Sequence, residues 1–169
     1  MEETFNIKAL ILNRKPFSED GGKVTVYSEN LGKLELVARG MKKIKSKLAG
    51  HLEPISLAEI MVVRGKRYNY IGAAVSENCY ADIKNNFAKI KAAGEVIEVF
   101  NLIIKLGESD RGIFSLLNNY FDFLDGAGLK PDYDLLVKLF IFKLLIKLGH
   151  KPELYNCVAC RNNISPAGI

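Results

Sequence analysis

Two histidines and three cysteines in 169 residues leave this chain short of the side chains from which most catalytic and metal sites are built. His51 and His150 each sit beside a glycine, with no Ser, Cys or Asp arranged around them as a triad would require. His51 closes a basic loop and reads as a turn residue. Cys79, Cys157 and Cys160 are odd in number and too few for a disulfide scaffold, which points to a reducing compartment. Long apolar runs are missing too. Leu135 to Leu148, 14 residues, is interrupted by Lys138, Lys143 and Lys147, whereas a bilayer span needs about 20 mostly apolar residues. The N-terminus MEETFNIKALILNRK is acidic where a signal peptide wants cations, and Lys8 breaks its apolar stretch. A soluble cytoplasmic protein with no membrane association is expected.

Nucleotide motifs fail in the same way. Gly107 to Gly112 has the glycine spacing of a P-loop but continues into Ile113 and Phe114, not Lys and Ser/Thr. Gly126-Ala127-Gly128 lacks the third glycine of a dinucleotide turn and follows a helix. The acidic pairs Glu108/Asp110 and Asp132/Asp134 fall at helix starts, where the helix dipole explains them. No enzyme is expected.

What is present is ordinary globular composition, 49% hydrophobic and 25% charged, with one unusual feature. The net charge is +5, and it is not spread evenly. Lys33 to Arg67 holds nine cations (Lys33, Arg39, Lys42, Lys43, Lys45, Lys47, Arg64, Lys66, Arg67) against three acids (Glu35, Glu53, Glu59). That segment carries +6 and the remainder −1. From Ala81 onward, 11 basic residues meet 10 acidic ones, the balance of a solvated mixed surface. A local excess of this kind suits a polyanionic partner.

The hydrophobic period changes near residue 80. Before it, short strands are predicted at Thr4 to Leu12, Val24 to Tyr27, Leu34 to Ala38, Ile55 to Val63 and Tyr68 to Tyr80. Turns at Glu19-Asp20-Gly21-Gly22, Glu29-Asn30-Leu31-Gly32 and Arg64-Gly65-Lys66-Arg67 separate them. Five strands and a long loop from Arg39 to Glu53 fit an OB-type barrel over residues 1–80. After residue 80, apolar residues recur at helical spacing: Ile83, Phe87, Ile90, Ile97, Phe100 and Ile104, with Gly94 either an interior glycine or a break. A helix capped by Ser109-Asp110 runs to Gly126, and a third opens at Pro131-Asp132 and continues to Leu148. Apolar nearly all round, the third is expected at the centre of the helical half. The predicted class is α+β: a five-stranded OB barrel, then an all-helical domain over residues 81–169.

Two constellations could carry function. Arg39-Gly40-Met41-Lys42-Lys43-Ile44-Lys45-Ser46-Lys47 puts five cations in nine residues, and Ser46 can donate to a phosphate oxygen. The same loop is equally well read as solvated surface. Arg64, Lys66 and Arg67 on a second turn of the same barrel, beside Tyr68 and Tyr70, favour the phosphate reading, since cations beside aromatics suit single strands. Core packing of one of these tyrosines is the competing role. Cys157-Val158-Ala159-Cys160 is half of a zinc site, which takes four ligands. His150 and Cys79 lie outside the usual ligand spacing, and Cys79 is expected as a small core residue. No strand-then-helix context supports a thioredoxin role.

Taken together, the motifs resemble a known family. Ala38-Arg39-Gly40, the basic Lys42-Lys43-x-Lys45-Ser46-Lys47 and Leu52-Glu53-Pro54 on a barrel are similar to the RecO recombination mediators. So are the later Leu148-Gly149-His150-Lys151-Pro152 and Leu154-Tyr155-x-Cys157-Val158-x-Cys160. The resemblance covers essentially the whole chain. It implies a bacterial, nucleoid-associated DNA-repair protein that binds single- and double-stranded DNA and anneals complementary strands. It also implies action with RecR and RecF in loading RecA onto strands coated by single-strand-binding protein. The barrel would bind DNA through Arg39, Lys42, Lys43, Lys45, Ser46, Lys47, Arg64, Lys66, Arg67 and Tyr68. The helical part would take the acidic, aromatic-ended tail of single-strand-binding protein. Family members with a zinc module carry a second cysteine pair, so Cys157 and Cys160 are expected to form a half-site in a shortened chain. No cofactor is expected here, and zinc only with a further pair beyond Ile169. An OB-type RNA binder and a pure adaptor are the alternative readings.

Overall fold

The computed structural model describes residues 3–41, 46, 48–128 and 132–163. Its first strand, β1 (Thr4–Pro16), explains why the hydrophobic alternation breaks at Leu10-Ile11-Leu12. Both faces of β1 are covered. Ile7, Ala9 and Ile11 point into a barrel core with Val24, Val26, Leu36, Ile60, Val62 and Ile71, whereas Leu10 and Leu12 belong to a second core shared with the helices. A register shift between Ile11 and Asn13 marks the bend that carries the strand from one neighbour to the next.

β2 (Gly22–Ser28), β3 (Gly32–Ala38), β4 (Ser56–Val63) and β5 (Tyr70–Asn78) complete a closed barrel in the order β1-β2-β3-β5-β4. All neighbours are antiparallel except β3 and β5, which meet in a short parallel contact at Val37 and Tyr70. A four-residue helix, α1 (Leu48–His51), interrupts the long loop, and His51 Nδ1 lies 3.0 Å from Ser76 Oγ, tying α1 to β5.

Four helices follow. α2 (Ala81–Lys84) and α3 (Phe87–Ile103) divide at Asn85-Asn86 because the Asn86 side chain accepts from the Ala88 and Lys89 N–H groups as an N-cap. Gly94 lies inside α3, so the break falls nine residues earlier than the glycine suggested. α4 (Arg111–Gly126) is capped by Asp110 and α5 (Tyr133–Lys147) by Asp132. No helix among the described residues is long and apolar enough to cross a membrane.

Two expectations are corrected. α5 is not the central helix: only Val137, Phe140 and Leu144 are buried, while Leu135 and Leu139 remain 51% and 44% exposed. α3 holds the centre, burying Ala92, Ala93, Val96, Ile97 and Phe100, because its small alanines allow close approach of its neighbours. The surplus apolar face of α5 instead walls a groove with Leu116, Tyr120 and Phe123 of α4. Cys79 is exposed rather than a core residue. Tyr80 takes the inward position with a left-handed backbone (φ 46°), and its hydroxyl donates to Asn118 Oδ1 at 3.1 Å.

Barrel and helices pack directly on one another. Tyr27 of β2 meets Phe100 edge-to-face at 4.8 Å, and Tyr27 also stacks on Phe114. Lys33 is buried in the joint. Its ammonium donates to the carbonyls of Asn101 (2.8 Å) and Ile104 (2.9 Å) at the C-terminal end of α3, where the helix dipole favours a cation. Burial nonetheless holds its pKa below the ordinary lysine value.

Candidate nucleic-acid interface

One part of the barrel surface gathers its aromatics and cations. The β1–β2 turn is closed on itself: the Phe17 and Ser18 N–H groups both donate to the Gly21 carbonyl, and the Gly21 N–H donates to Ser18 Oγ at 3.0 Å. This short polar turn leaves Phe17 on the surface, 41% exposed. The β4–β5 connection, residues 64–69, is anchored at both ends. Arg64 N–H donates to the Glu3 carbonyl, and the Asn69 carbonyl accepts from Val37 N–H, each at 2.9 Å. Between them Gly65 lies so close to the Tyr68 carbonyl and the Tyr70 ring that a Cβ would collide with both.

Barrel closure then brings these segments together. Phe17 and Tyr68 meet edge-to-face, 5.2 Å between centroids. The Arg67 guanidinium lies 5.4 Å from the Tyr68 ring and the Lys23 ammonium 5.6 Å from Phe17. Arg39, the first residue after β3, stacks its guanidinium 4.0 Å over Tyr70 at the start of β5. Each cation over a ring gains about 0.5–1 kcal/mol at an exposed site and is held in a defined place. Beside Tyr68 opens a cleft of about 320 Å³, lined by Lys23, Lys33, Glu35, Arg67, Tyr68 and Asn69 among others.

The expected DNA-binding residues divide accordingly. Arg39, Arg67 and Tyr68 fall within this constellation, and exposed Lys66 lies on the same connection. Arg64 turns aside to Glu3, an ion pair of 2.8 Å, and lies 5.9 Å from Phe5. Ser46 is half-buried. Lys42, Lys43, Lys45 and Lys47 lie outside the described residues. Tyr68 and Tyr70 are both half-buried, neither of them part of the barrel core. Phe17 and Lys23 were not anticipated. The available signal was an aromatic standing in the otherwise polar turn Pro16 to Gly22.

The Cys-x-x-Cys segment forms a compact turn far from the barrel in sequence. Cys157 N–H donates to the Asn162 carbonyl (2.8 Å), Arg161 N–H to the Cys157 carbonyl (2.7 Å), and Asn156 bridges Asn163. The backbone N–H groups of Cys160 and Ala159 hold the Cys157 thiol below its ordinary pKa, with the Cys160 side chain adding to the effect. A turn that stabilises a thiolate is chemically suited to a metal. Among the described residues, no group of three or more His, Cys, Asp or Glu side chains converges on it or elsewhere.

The strand order and the helices built onto it define an OB-fold protein with a helical C-terminal half. Family models settle which one: that of the recombination protein O N-terminal region matches residues 1–79, and that of its C-terminal region matches residues 85–169. The chain belongs to the RecO family of DNA repair and recombination proteins. Among its relatives, the DNA repair protein RecO of Thermoanaerobacter sp. (strain X514) is 25% identical over 153 residues, covering 90% of this chain and 61% of the relative. That of Desulforamulus reducens is 28% identical over 156 residues (92% and 59%), and that of Dehalococcoides mccartyi (strain CBDB1) 28% over 160 (95% and 62%). The chain thus spans about six-tenths of the length of the curated relatives it matches.

Proposed function

We propose that this chain is a non-enzymatic mediator of DNA repair whose barrel grips DNA through the cations gathered around Tyr68 and Tyr70. The observation that carries the reading is the convergence of Arg39 and Arg67, each seated on an aromatic ring, on neighbouring loops of one OB barrel, with Lys23 of β2, itself paired with Glu35 at 2.9 Å, over Phe17 beside them. Cations held in place by rings lose less freedom when they meet a phosphate than free side chains do. Arg39 stands at the root of the basic loop, so Lys42, Lys43, Lys45 and Lys47 would continue the phosphate track. Neutralising two strands at once screens their mutual repulsion, which would allow complementary strands to pair. Family membership supports the wider role with it: annealing of single strands, binding of duplex DNA, and help in loading RecA onto strands coated by single-strand-binding protein, together with RecR. In that setting Cys157 and Cys160 would supply two of the four ligands of a structural zinc.

The test is the salt dependence of DNA affinity. About five phosphate contacts on a single strand predict a log–log slope near −3.5. Reversing Arg39 and Arg67 to Glu should flatten it by roughly 1.4. An affinity indifferent to salt would overturn the proposal.

A further inference from the structure

We infer that the cleft beside Tyr68 is a docking slot for a protein partner, taking an extended, acidic peptide segment as a short parallel strand on the open edge of β3. This goes beyond the grip on DNA, because the groups that recognise the partner are main-chain groups of β3 that no phosphate contact uses.

β3 has two edges, and β2 covers only one of them. In an antiparallel pair, alternate residues turn both of their peptide groups to the same side. The Val37 N–H donates away from β2 to the Asn69 carbonyl, and the Lys33 carbonyl accepts from the Gly107 N–H, each at 2.9 Å. Lys33, Glu35 and Val37 therefore face the far edge, and Glu35 stands opposite Thr25 where the two strands exchange no hydrogen bond. Single parallel contacts fill both ends of that edge, Leu106 beside Lys33 and Tyr70 beside Val37. Between them the edge is bare. Among the described residues, neither the N–H nor the carbonyl of Glu35 has a main-chain partner.

The cleft of about 320 Å³ opens at this gap, bounded by Leu34 and Glu35, by Leu106, and by Tyr68 and Asn69. One rung of a strand fits. A residue opposite Glu35 has a predecessor whose carbonyl accepts from the Glu35 N–H and a successor whose N–H donates to the Glu35 carbonyl. Leu106 and Tyr70 already stand in line with such a strand, so the peptide turns out to solvent after about three residues. Charge selects the occupant. Lys23 is paired with Glu35 at 2.9 Å, and Lys33 gives its ammonium to the carbonyls of Asn101 and Ile104. Arg67 is left exposed beside Tyr68, with no acidic partner among the described residues. A strand running parallel to β3, as both flanks do, brings its C-terminal side to the Asn69 end of the cleft, where a Glu or Asp just after the rung meets Arg67.

The experiment is amide NMR on the full chain. In the free protein the Glu35 amide should exchange with solvent at least about 10-fold faster than those of Leu34 and Leu36, which are turned to β2. The capped peptide acetyl-Gly-Val-Thr-Val-Glu-Gly-amide, at millimolar concentration, should shift the resonances of Glu35, Asn69 and Leu106 and slow exchange at Glu35. Methylating the nitrogen of its second valine removes the donor to the Glu35 carbonyl and should weaken binding by roughly 3- to 10-fold, the span of one hydrogen bond. Exchanging its Glu for Lys should cost about 2- to 5-fold, as an exposed ion pair does, and Arg67→Gln should make these two peptides bind alike. A Glu35 amide as protected in the free chain as its neighbours, or equal binding of the parent and methylated peptides, would overturn the slot. So would a single-stranded oligonucleotide that protects the Glu35 amide where the peptide does not.

Discussion

Replacing Gly32 with alanine should uncouple the barrel from the helices. Gly32 opens β3 with φ +69°, and a Cβ there would collide with the Glu108 carbonyl and come within 2.6 Å of the Ser109 nitrogen. Gly107 supplies the control in the same joint. Its φ is +80°, yet nothing lies within 4 Å of where its Cβ would stand. Gly107→Ala therefore meets only the left-handed strain, about 1–2 kcal/mol, partly offset by a stiffer unfolded chain. Gly32→Ala meets the same strain and a backbone that cannot rotate aside, so the β2–β3 hairpin must draw away from the linker between α3 and α4. Retreat of the hairpin stretches the Gly107 N–H to Lys33 carbonyl bond, 2.9 Å, and the two bonds of the Lys33 ammonium. One neutral bond is worth about 1 kcal/mol and those to a charged group roughly 1.5–3 kcal/mol. The expected loss for Gly32→Ala is therefore about 3–5 kcal/mol, and that for Gly107→Ala about 1 kcal/mol. At roughly 2–4 °C per kcal/mol for a chain of this size, the two melting temperatures should separate by about 10 °C. Urea titration followed by circular dichroism gives the same comparison at fixed temperature. Equal losses in the two variants would show that the hairpin does not press on the linker, and the reasoning would fail.

The thiol of Cys157, held below its ordinary pKa by the Cys160 and Ala159 N–H groups, should be alkylated by iodoacetamide with a midpoint at lower pH in the folded chain than in urea. A depressed thiol pKa means that the turn gains stability above the unfolded thiol range and loses it as pH falls through the folded value; an equal or higher folded midpoint, read by peptide mass spectrometry, would refute the turn geometry. Leu135→Gln, on the exposed face of α5, should change stability by no more than about 0.5 kcal/mol, as a surface substitution does. A loss of 2 kcal/mol or more in urea denaturation would put α5 back at the centre of the bundle.

Where one face of an element is buried and the other is wet, the pattern could be read directly. Ile60 and Val62 of β4 alternate with Glu59 and Met61, which see solvent, and Val24 and Val26 of β2 flank the half-buried Thr25, although Tyr27 beyond them is covered by the helices. β1 hid its alternation because Leu10 and Leu12 are covered by helices on the far side. Composition misplaced α5 for a related reason: a helix apolar on every side does not say which side is used. In the chain around Asn86, the apolar period runs through Ile83 and Phe87 without a gap, but Phe87 stands fully outside the core and the asparagine cap decides the boundary. Local capping outweighed the periodic signal.

At the site, charge was legible because it is clustered in sequence, but a count of cations is not a count of phosphate contacts. Of the nine in the segment from Lys33 to Arg67, Lys33 is spent inside the fold on the carbonyls of Asn101 and Ile104, and Arg64 is drawn to Glu3. Lys23, which lies outside that segment, joins the constellation through Phe17. The partnership of Phe17 with Tyr68 spans fifty-one residues and exists only because the barrel closes, so no local pattern could have announced it. The salt slope tests this correction as well. Eight participating cations, the segment without Lys33, would give a slope near −5.6 on a single strand, whereas five would give about −3.5. A measured slope at the smaller value would mean that about three of these eight cations, Arg64 with its Glu3 partner among them, meet no phosphate.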